Sequence, residues 1–262
     1  MKIVDCPLLR GFVEAKLLEG RSPASVAGRV TKHETQLPSI SADSIERFLA
    51  SPYGRQIEAA RKRLKTKRRW RKRRKRSGSL SERTFIDERP AVINRRQRVG
   101  DVEADFIVSG KSGSGILLTV TDRKLRVSFI EKILPVSIVG VHAAFRRVTA
   151  RYPELRSITT DNDILFAQHK QLEALLGLEI YFCHPYHSWE KGTIENTNGI
   201  IRQTIPKGSD ISLYSMSFIA AVETKLNDRY MECLDYATPQ EALNAYRKTN
   251  KKRAHRALKD SG

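Results

Sequence analysis

Three acidic residues, Asp105, Asp161 and Glu195, have the side-chain type that a shared metal site needs. Phosphoryl transfer at a phosphodiester uses two divalent ions about 3.5–4 Å apart, one for the attacking oxygen and one for the leaving oxygen. Mg²⁺ prefers oxygen ligands and keeps several of its waters, so three carboxylates are enough to hold such a pair. Taken singly, such acids are typical of turns and helix starts, so their surroundings must decide their role.

The elements around these acids form a mixed α/β pattern. Strands are predicted over 101–110 and over 115–133, the latter split into a hairpin at 122–124. The pattern then continues with a helix at 137–152, a strand at 156–161, a helix at 168–177, a strand at 178–183 and a helix from 193. Alternation after an initial meander predicts a mixed sheet with helices on both faces. Functional residues of such sheets gather at strand ends, so the three acids can meet.

The first acid of the group is ambiguous on physical grounds. Asp101, Glu103 and Asp105 alternate along one predicted strand, and alternate side chains of a strand point to the same face. Any of the three can therefore be the metal ligand of this strand. The other two are then expected to support the site or to lie on the surface.

Positive charge is concentrated in two segments of this 262-residue chain, whose formal net charge is +19. Residues 61–76 contain 13 Lys and Arg and residues 247–259 contain 7, with no acid in either segment. The rest is close to neutral, which indicates two basic segments that bind a polyanion such as DNA or RNA. A solvated tail or a targeting signal is the alternative reading of such a run.

The cysteines and the hydropathy narrow the class of protein. Cys6, Cys183 and Cys233 form no CxxC pair and are odd in number, so the sequence indicates neither a disulfide framework nor a zinc ribbon. No apolar stretch approaches about 18 residues, and the N-terminus has no long apolar signal core. We therefore expect a protein of a reducing interior that is neither exported nor bound to a membrane.

Capping residues and apolar spacing in the N-terminal region predict short helices. Ser22 before Pro23 is a predicted cap, and Ser41 caps a second helix whose apolar residues are Ile45, Phe48 and Leu49. Two short helices followed by a basic run favour a helix-turn-helix that reads DNA. A helical docking unit without DNA contact is the alternative.

The segment "DN" at Asp161, followed by "PYHSWEKGTIENTNGIIRQTIPKGSD" at 185–210, resembles the DDE transposases of bacterial insertion sequences. Within them it is most similar to the insertion-sequence-thirty family, which is related to retroviral integrases through the catalytic core. The similarity covers about residues 20–245, including "GDVEADFIV" around Asp105, "TDRKLR" in the hairpin and "LNDRYMECLDYATPQEAL" near the C-terminus.

The resemblance implies an RNase-H-like core in which Asp105, Asp161 and Glu195 bind two Mg²⁺ ions, with Mn²⁺ as a substitute. It implies double-stranded DNA, both transposon ends and target, as the substrate, and a homo-oligomer of at least two copies that joins the ends. The localisation it implies is the bacterial cytoplasm, at the nucleoid. The expected domains are a helix-turn-helix region at 1–56, a basic arm and linker at 57–94, the catalytic core at 95–246 and a basic tail at 247–262.

Several secondary residues carry further expectations. Lys191 and Arg202 are expected to hold the DNA backbone on either side of Glu195. The arm residues expected to contact DNA phosphates are Arg68, Arg69, Arg71, Lys72, Arg73 and Arg74. Asn196 and Asn198 are expected to cap or to hydrogen-bond locally. A zinc site at His184 and His187 is disfavoured, because the spacing is tight and the sequence offers no second pair.

The sequence departs from the family pattern at Val102, where an aromatic residue is usual, and at Asp163 and Leu165, where Gly and an acid are usual. Members also commonly carry a further helix-turn-helix upstream, so we expect a shortened or mis-started copy. One alternative is therefore a non-catalytic DNA-end-binding remnant or repressor. Another is an RNase-H-like nuclease that acts on RNA–DNA hybrids, which leaves the Glu195 motif unexplained.

Overall fold

The structure, a computed structural model, describes residues 2–64, 82–185 and 187–260, which fall into two compact units. The first unit spans 1–71 together with 228–262, and the second spans 72–227. The six arm residues from Arg68 to Arg74 that are expected to bind DNA lie outside the described residues.

The first unit is helical in its described parts. Its helices, numbered in chain order, are α1 (Lys2–Asp5), α2 (Pro7–Leu18), α3 (Pro23–Lys32), α4 (Ala42–Ala50), α5 (Arg55–Leu64) and α11 (Pro239–Asp260). The predicted caps are confirmed, because the Ser22 hydroxyl accepts from the Ser25 amide at 3.1 Å and the Ser41 hydroxyl accepts from the Ser44 amide at 3.2 Å. The apolar faces of α1 to α4 meet in one core, which includes Leu9, Val13, Leu17, Val26, Val30, Ile45 and Phe48, and the partly buried Ile57 of α5 packs against it.

Helix α3 also packs against the segment that leads into α11. Arg29 donates to both carboxylate oxygens of Glu241, at 2.7 and 2.8 Å, and its guanidinium lies 4.8 Å from the ring centre of Tyr230. The approach at Gly28 is so close that a Cβ there would lie 2.3 Å from the Tyr236 ring. A larger residue at this contact between α3 and the residues before α11 would require the Tyr236 ring to move.

The second unit contains a six-stranded mixed sheet. Its strands are β1 (Thr84–Phe85), β2 (Asp101–Val108), β3 (Ile116–Asp122), β4 (Ser128–Ile133), β5 (Ser157–Thr160) and β6 (Glu179–Phe182). They lie in the order β1-β6-β5-β2-β3-β4; β2, β3 and β4 are antiparallel, and β5 joins β2 and β6 in parallel. The predicted mixed sheet is thereby confirmed, and its meander followed by parallel strands is the RNase-H-like arrangement that the resemblance implies.

Helices cover both faces of this sheet. They are α6 (Ala91–Asn94), α7 (Ile138–Arg151), α8 (His169–Leu176), α9 (Gly192–Thr204) and α10 (Met216–Asn227). On one face, Ile107 and Leu117 of the sheet form a core with Ile201 of α9 and Ile219 of α10. Because side chains alternate along β2, Asp101, Glu103 and Asp105 share this face with Ile107. The sheet thus carries acids and an apolar core on one face.

Within the expected arm and linker at 57–94, several described residues pack on the sheet. Residues Thr84 and Phe85 add a short parallel strand beside β6, with Thr84 opposite Tyr181. Arg83 and Arg89 are each only 7% exposed. This packing was not predicted, because the segment is polar and a two-residue edge strand has almost no periodic pattern in the sequence.

None of the helices in the described stretches combines the length with the apolar character that crossing a bilayer requires.

Candidate active site

Strand β2 presents three acids on one face, and two of them are occupied by structural partners. Asp101 accepts from the Arg98 guanidinium and from the Ser157 hydroxyl, both at 2.7 Å. Glu103 accepts from the backbone amide of Ile194 at 2.9 Å, and it is 1% exposed. The geometry therefore separates Asp105 from its two neighbours on the strand, which sequence periodicity alone did not do.

Asp105 has one neutral donor and one cation within reach. The Asn198 side-chain amide donates to Asp105 Oδ2 at 2.8 Å, and the Lys191 ammonium lies 3.4 Å from Oδ1. The Thr119 hydroxyl, opposite Asp105 on β3, lies 2.9 Å from the amide oxygen of Asn198. Asn198 is thus oriented by Thr119, and the expectation that it bonds only locally is wrong.

Asp161 reaches the same place from the neighbouring strand. Strand β5 runs parallel to β2, with Ser157 opposite Asp101 and Thr159 opposite Glu103, and continuing that register sets Asp161 beside Asp105. The Lys191 ammonium lies 3.6 Å from Asp161 Oδ2. One cation therefore lies near both Asp carboxylates, and the Lys191 side chain is only 5% exposed.

Glu195 stands in the first turn of α9, which packs on this face through buried residues such as Ile194 and Ile201. Glu103 fixes the start of the helix by accepting from the Ile194 amide, a favourable place for negative charge. Desolvation raises the pKa of Glu195, and the carboxylates of Asp105 and Glu103 act in the same direction, while Lys191 opposes them. These interactions join Glu195 electrostatically to Asp105 and to Lys191, the lysine that lies near both Asp carboxylates.

The loop after β5 is braced by a residue from the segment before β1. Arg83 donates to the side-chain oxygen of Asn162 at 2.7 Å, and the Asn162 amide donates to the carbonyl of Cys183 at 2.7 Å. Burial lowers the pKa of Arg83, and the charges of Asp161 and Asp163 oppose that shift. Arg83 therefore adds a second positive charge near the carboxylates, which the sequence did not reveal.

The departures from the family pattern are accommodated locally. Asp163 has an ordinary φ of −68°, so a glycine is not needed at this position. Its side chain accepts from the Leu165 amide at 3.0 Å and caps the short 3₁₀ turn of residues 164–166. Val102, where an aromatic residue is usual, is fully buried in the sheet.

The two residues expected to hold DNA beside Glu195 differ in placement. Lys191 is buried among the acids, as described above. Arg202 lies in the last turn of α9 and donates to the backbone carbonyl of Val108 at 3.1 Å and to that of Pro206 at 3.3 Å. The structure thus brings Lys191 together with Asp105 and Asp161, and it places Arg202 at the far end of the helix.

No protein-family model matches the chain. It is 36% identical over 248 residues to the transposase for insertion sequence element IS4351 of Bacteroides fragilis, covering 92% of this chain and 74% of that protein. It is 30% identical over 252 residues to the transposase for insertion sequence element IS1086 of Cupriavidus metallidurans, with the same coverage of 92% and 74%. The transposase InsI for insertion sequence element IS30A of Escherichia coli is 36% identical over 162 residues, covering 61% of this chain and 42% of that protein. Among solved structures, the catalytic core domain of BIV integrase covers 58% of this chain with a TM-score of 0.44 and 15% identity.

Proposed function

This chain belongs to the family of insertion-sequence transposases, and on that premise we propose that Asp105, Asp161 and Glu195 form its active site. The enzyme is a DDE-type transposase that cleaves DNA and transfers the cut strand. The observation that carries the assignment of the site is the buried ammonium of Lys191, 3.4 Å from Asp105 and 3.6 Å from Asp161. The space between these two carboxylates already holds the lysine ammonium, so its negative potential also favours the binding of metal cations.

The donor set of the proposed site fits divalent metal ions that prefer oxygen. Asp105 and Asp161 lie around a common cation, and Glu195 interacts with the same lysine. We infer that these three acids hold Mg²⁺, with Mn²⁺ as a substitute, because hard ions take carboxylate and water oxygens. When bound, a pair of such ions activates the attacking oxygen and stabilises the leaving oxygen of a phosphodiester.

Neighbouring residues of the chain orient these acids. Thr119 fixes Asn198, whose amide donates to Asp105 Oδ2 and leaves Oδ1 directed toward Lys191. Glu103 holds the start of α9 and so determines where Glu195 stands. In the reaction we assign to Lys191 the neutralisation of the carboxylates before the metal and the substrate phosphate arrive.

The substrate we propose is double-stranded DNA, both the ends of the element and its target. The reaction is hydrolysis at an element end, followed by attack of the freed 3′-hydroxyl on the target strand. The basic arm around Arg68 to Arg74 is proposed as a phosphate contact, and its test is the salt dependence of binding, with a slope of about −0.9 per phosphate neutralised. We further propose that at least two copies act together, because two ends must be joined.

The alternative of a non-catalytic remnant is not favoured by the described site. Asp105 and Asp161 meet around Lys191, and Glu195 stands in the first turn of the helix packed beside them. Asp163, one of the departures that raised this alternative, serves as a cap and leaves the three acids in place.

The experiment that tests the proposal is cleavage of an end-labelled duplex bearing the inverted repeats that flank the encoding locus. Wild type with Mg²⁺ or Mn²⁺ should cut at the repeat boundary, and Glu195→Gln should bind the same DNA with similar affinity and leave it uncut. Glu232→Gln, the same change at an exposed acid of the other unit, is the matched control and should cut like wild type.

Equal cleavage by wild type and Glu195→Gln would refute the assigned site. Specific binding by wild type with no cuts in either metal would instead support the end-binding remnant. Preference for an RNA–DNA hybrid over duplex DNA would support the nuclease reading.

A further inference from the structure

The loop between β6 and α9 brings together three potential metal ligands outside the carboxylate site. His184 Nδ1 lies 3.0 Å from Glu190 Oε1, and His187 Nδ1 lies 3.4 Å from the same oxygen. All three ligand atoms lie within 4.8 Å of one another. The sequence disfavoured a zinc site at the two histidines for want of further ligands, and the structure supplies a third ligand in Glu190.

The spacing of these atoms matches a tetrahedral ion. Zn²⁺ binds imidazole nitrogen and carboxylate oxygen at about 2.0–2.2 Å, which places two ligand atoms of a tetrahedron about 3.4 Å apart. The two distances to Glu190 Oε1, 3.0 and 3.4 Å, are close to that value. Two of the three separations thus fit such an ion, and rotation of the imidazole side chains, whose ligand atoms lie within 4.8 Å of each other, completes the set.

The other nitrogen of His184 has the partner that a metal-binding histidine needs. His184 Nε2 lies 2.8 Å from Asp87 Oδ2, and a ligating histidine commonly donates its second N–H to a carboxylate in this way. A neutral His184 that donates from Nε2 turns the bare lone pair of Nδ1 toward the Glu190 oxygen. Two acceptors then face each other, and a positive charge between them, either a proton or a metal ion, stabilises the contact.

The backbone and a neighbouring ring hold this arrangement in place. The His184 amide donates to Glu190 Oε2 at 2.9 Å, which directs Oε1 of the same carboxylate toward the two rings. The His184 ring also stacks on Phe85 with ring centres 5.6 Å apart. Phe85 and Asp87 follow each other closely at the edge of the sheet, so both fix the histidine from the same segment.

We propose that His184, His187 and Glu190 bind a divalent transition-metal ion of the zinc class, with a fourth position open to water. Two imidazoles and one carboxylate favour such ions, whereas the all-carboxylate set of Asp105, Asp161 and Glu195 favours Mg²⁺. The ion holds together the loop that precedes Lys191, and the contact between His184 and Asp87 joins this loop to the 3₁₀ turn of residues 86–88. It is separate from the ions of the proposed cleavage reaction.

The test is zinc binding by the untagged 262-residue chain after chelation, measured calorimetrically with Mg²⁺ in large excess. Wild type and Glu195→Gln should each bind one equivalent of Zn²⁺, because the carboxylate site is not the ligand. His187→Ala should weaken binding by at least about 100-fold, and Asp87→Asn by about 10-fold, the range measured when a partner of a ligating histidine is lost. Co²⁺ bound to wild type should show the visible absorption of a tetrahedral site.

His142→Ala, a change at a histidine of α7 outside the cluster, is the control and should bind zinc like wild type. The thermal midpoint of each zinc-free variant checks that it folds, and Glu190→Gln provides a second ligand variant that keeps the side-chain shape. Zinc binding that is absent in wild type, unchanged in His187→Ala, or lost only in Glu195→Gln would overturn the proposal. None of these measurements uses DNA, so the result is independent of the proposed cleavage reaction.

Discussion

The sheet and its strand ends carry two groups of acids that differ in solvent exposure and in their partners. The fixed acids, Asp101, Glu103 and Asp122, are at most 1% exposed, whereas the site acids Asp105 and Asp161 have side chains that are 19% and 29% exposed. Both groups lie within the same unit, and Asp101, Glu103 and Asp105 even share one strand. The difference between them therefore comes from their partners.

Asp122 shows what a fixed acid requires. Its carboxylate accepts from the amides of Gly100 and Lys124 and from the Tyr152 hydroxyl, each at 2.8 Å, and from the Leu125 amide. These donors are backbone groups of a turn or a buried phenol, so they cannot move away. A saturated carboxylate of this kind stabilises the hairpin and has little capacity left for a ligand.

The site acids have a counter-ion that can move. Asp105 and Asp161 are near the ammonium of Lys191, which lies at the end of a flexible four-carbon side chain. A structural acid such as Asp122 is thus surrounded by rigid donors, while the two acids of the proposed site lie beside a replaceable cation.

Asp161→Asn should abolish cleavage while leaving stability nearly unchanged. Losing a carboxylate that we propose to bind metal should remove several kcal/mol of transition-state stabilisation, a fall in cleavage rate of at least about 1,000-fold. Cleavage of labelled element ends and the urea midpoint measure the two effects. Asp163→Asn, two residues away at a capping position, should retain cleavage. An Asp161→Asn protein that is destabilised yet cuts at the wild-type rate would contradict the assignment.

Asp122→Ala should have the opposite outcome, a large loss of stability. The change leaves several buried donors without an acceptor, and we expect the free energy of unfolding to fall by roughly 3 kcal/mol. Tyr152→Phe removes only one of these donors and should cost about 1 kcal/mol. Urea unfolding measures the loss of unfolding free energy in each variant. Equal losses in Asp122→Ala and Tyr152→Phe would show that the other donors to Asp122 contribute nothing.

Lys191→Met should sharpen the comparison, because it removes the cation and keeps the side-chain length. Without metal, Asp105 and Asp161 lose this counter-ion, and we expect a loss of about 1–2 kcal/mol, or a thermal midpoint lower by a few degrees. Mg²⁺ or Mn²⁺ should then raise the midpoint more in the variant than in wild type, because the ion no longer competes with the ammonium.

Lys132→Met is the matched control for Lys191. The Lys132 ammonium donates to the carbonyls of Ser212 and Tyr214, both at 2.8 Å, so it is a lysine with fixed acceptors and no carboxylate among these contacts. Its loss should lower the midpoint and leave the metal-induced shift at the wild-type value. An identical metal-induced shift in the Lys191 variant would show that this lysine is only structural.

The structural elements that could be predicted from the sequence are those determined by neighbouring residues. Period-two alternation predicted β2, and polar residues before apolar helices predicted the caps Ser22 and Ser41. The helix predicted at 168–177 is α8, which ends at Gly177 with a left-handed backbone at φ 65°. These features depend on neighbours within about four residues, so one sequence is enough to find them.

Side-chain contacts between residues that are far apart in the sequence could not be predicted from it. Asn198 lies 93 positions from Asp105, and Arg83 lies 79 positions from Asn162, so neither contact leaves a local pattern. Arg89 is a similar case, because desolvation lowers its pKa to about 10 in a segment whose composition predicts a linker. Because Arg89 follows a polybasic arm in the sequence, its burial against the sheet could not be predicted from residue type or position.

Glu241 in the first unit offers the smallest and most specific test, an acid held by a rigid partner near the surface. The bidentate hydrogen bonds from Arg29 lower the pKa of Glu241 to about 2, whereas desolvation raises the pKa of Glu195. A lowered pKa stabilises the folded state fully above the unfolded pKa, about 4.5, and this contribution disappears as pH falls toward about 2.

Because the Glu241 side chain is 46% exposed, solvent screening reduces the contribution to under about 1 kcal/mol. The stability difference between wild type and Glu241→Gln, measured by urea unfolding, should therefore be constant from pH 7 to 5 and shrink below about pH 4.5. Comparing the two proteins cancels the titration of the other acids. A difference that stays constant down to pH 3 would mean that Arg29 contributes packing at this contact and not charge.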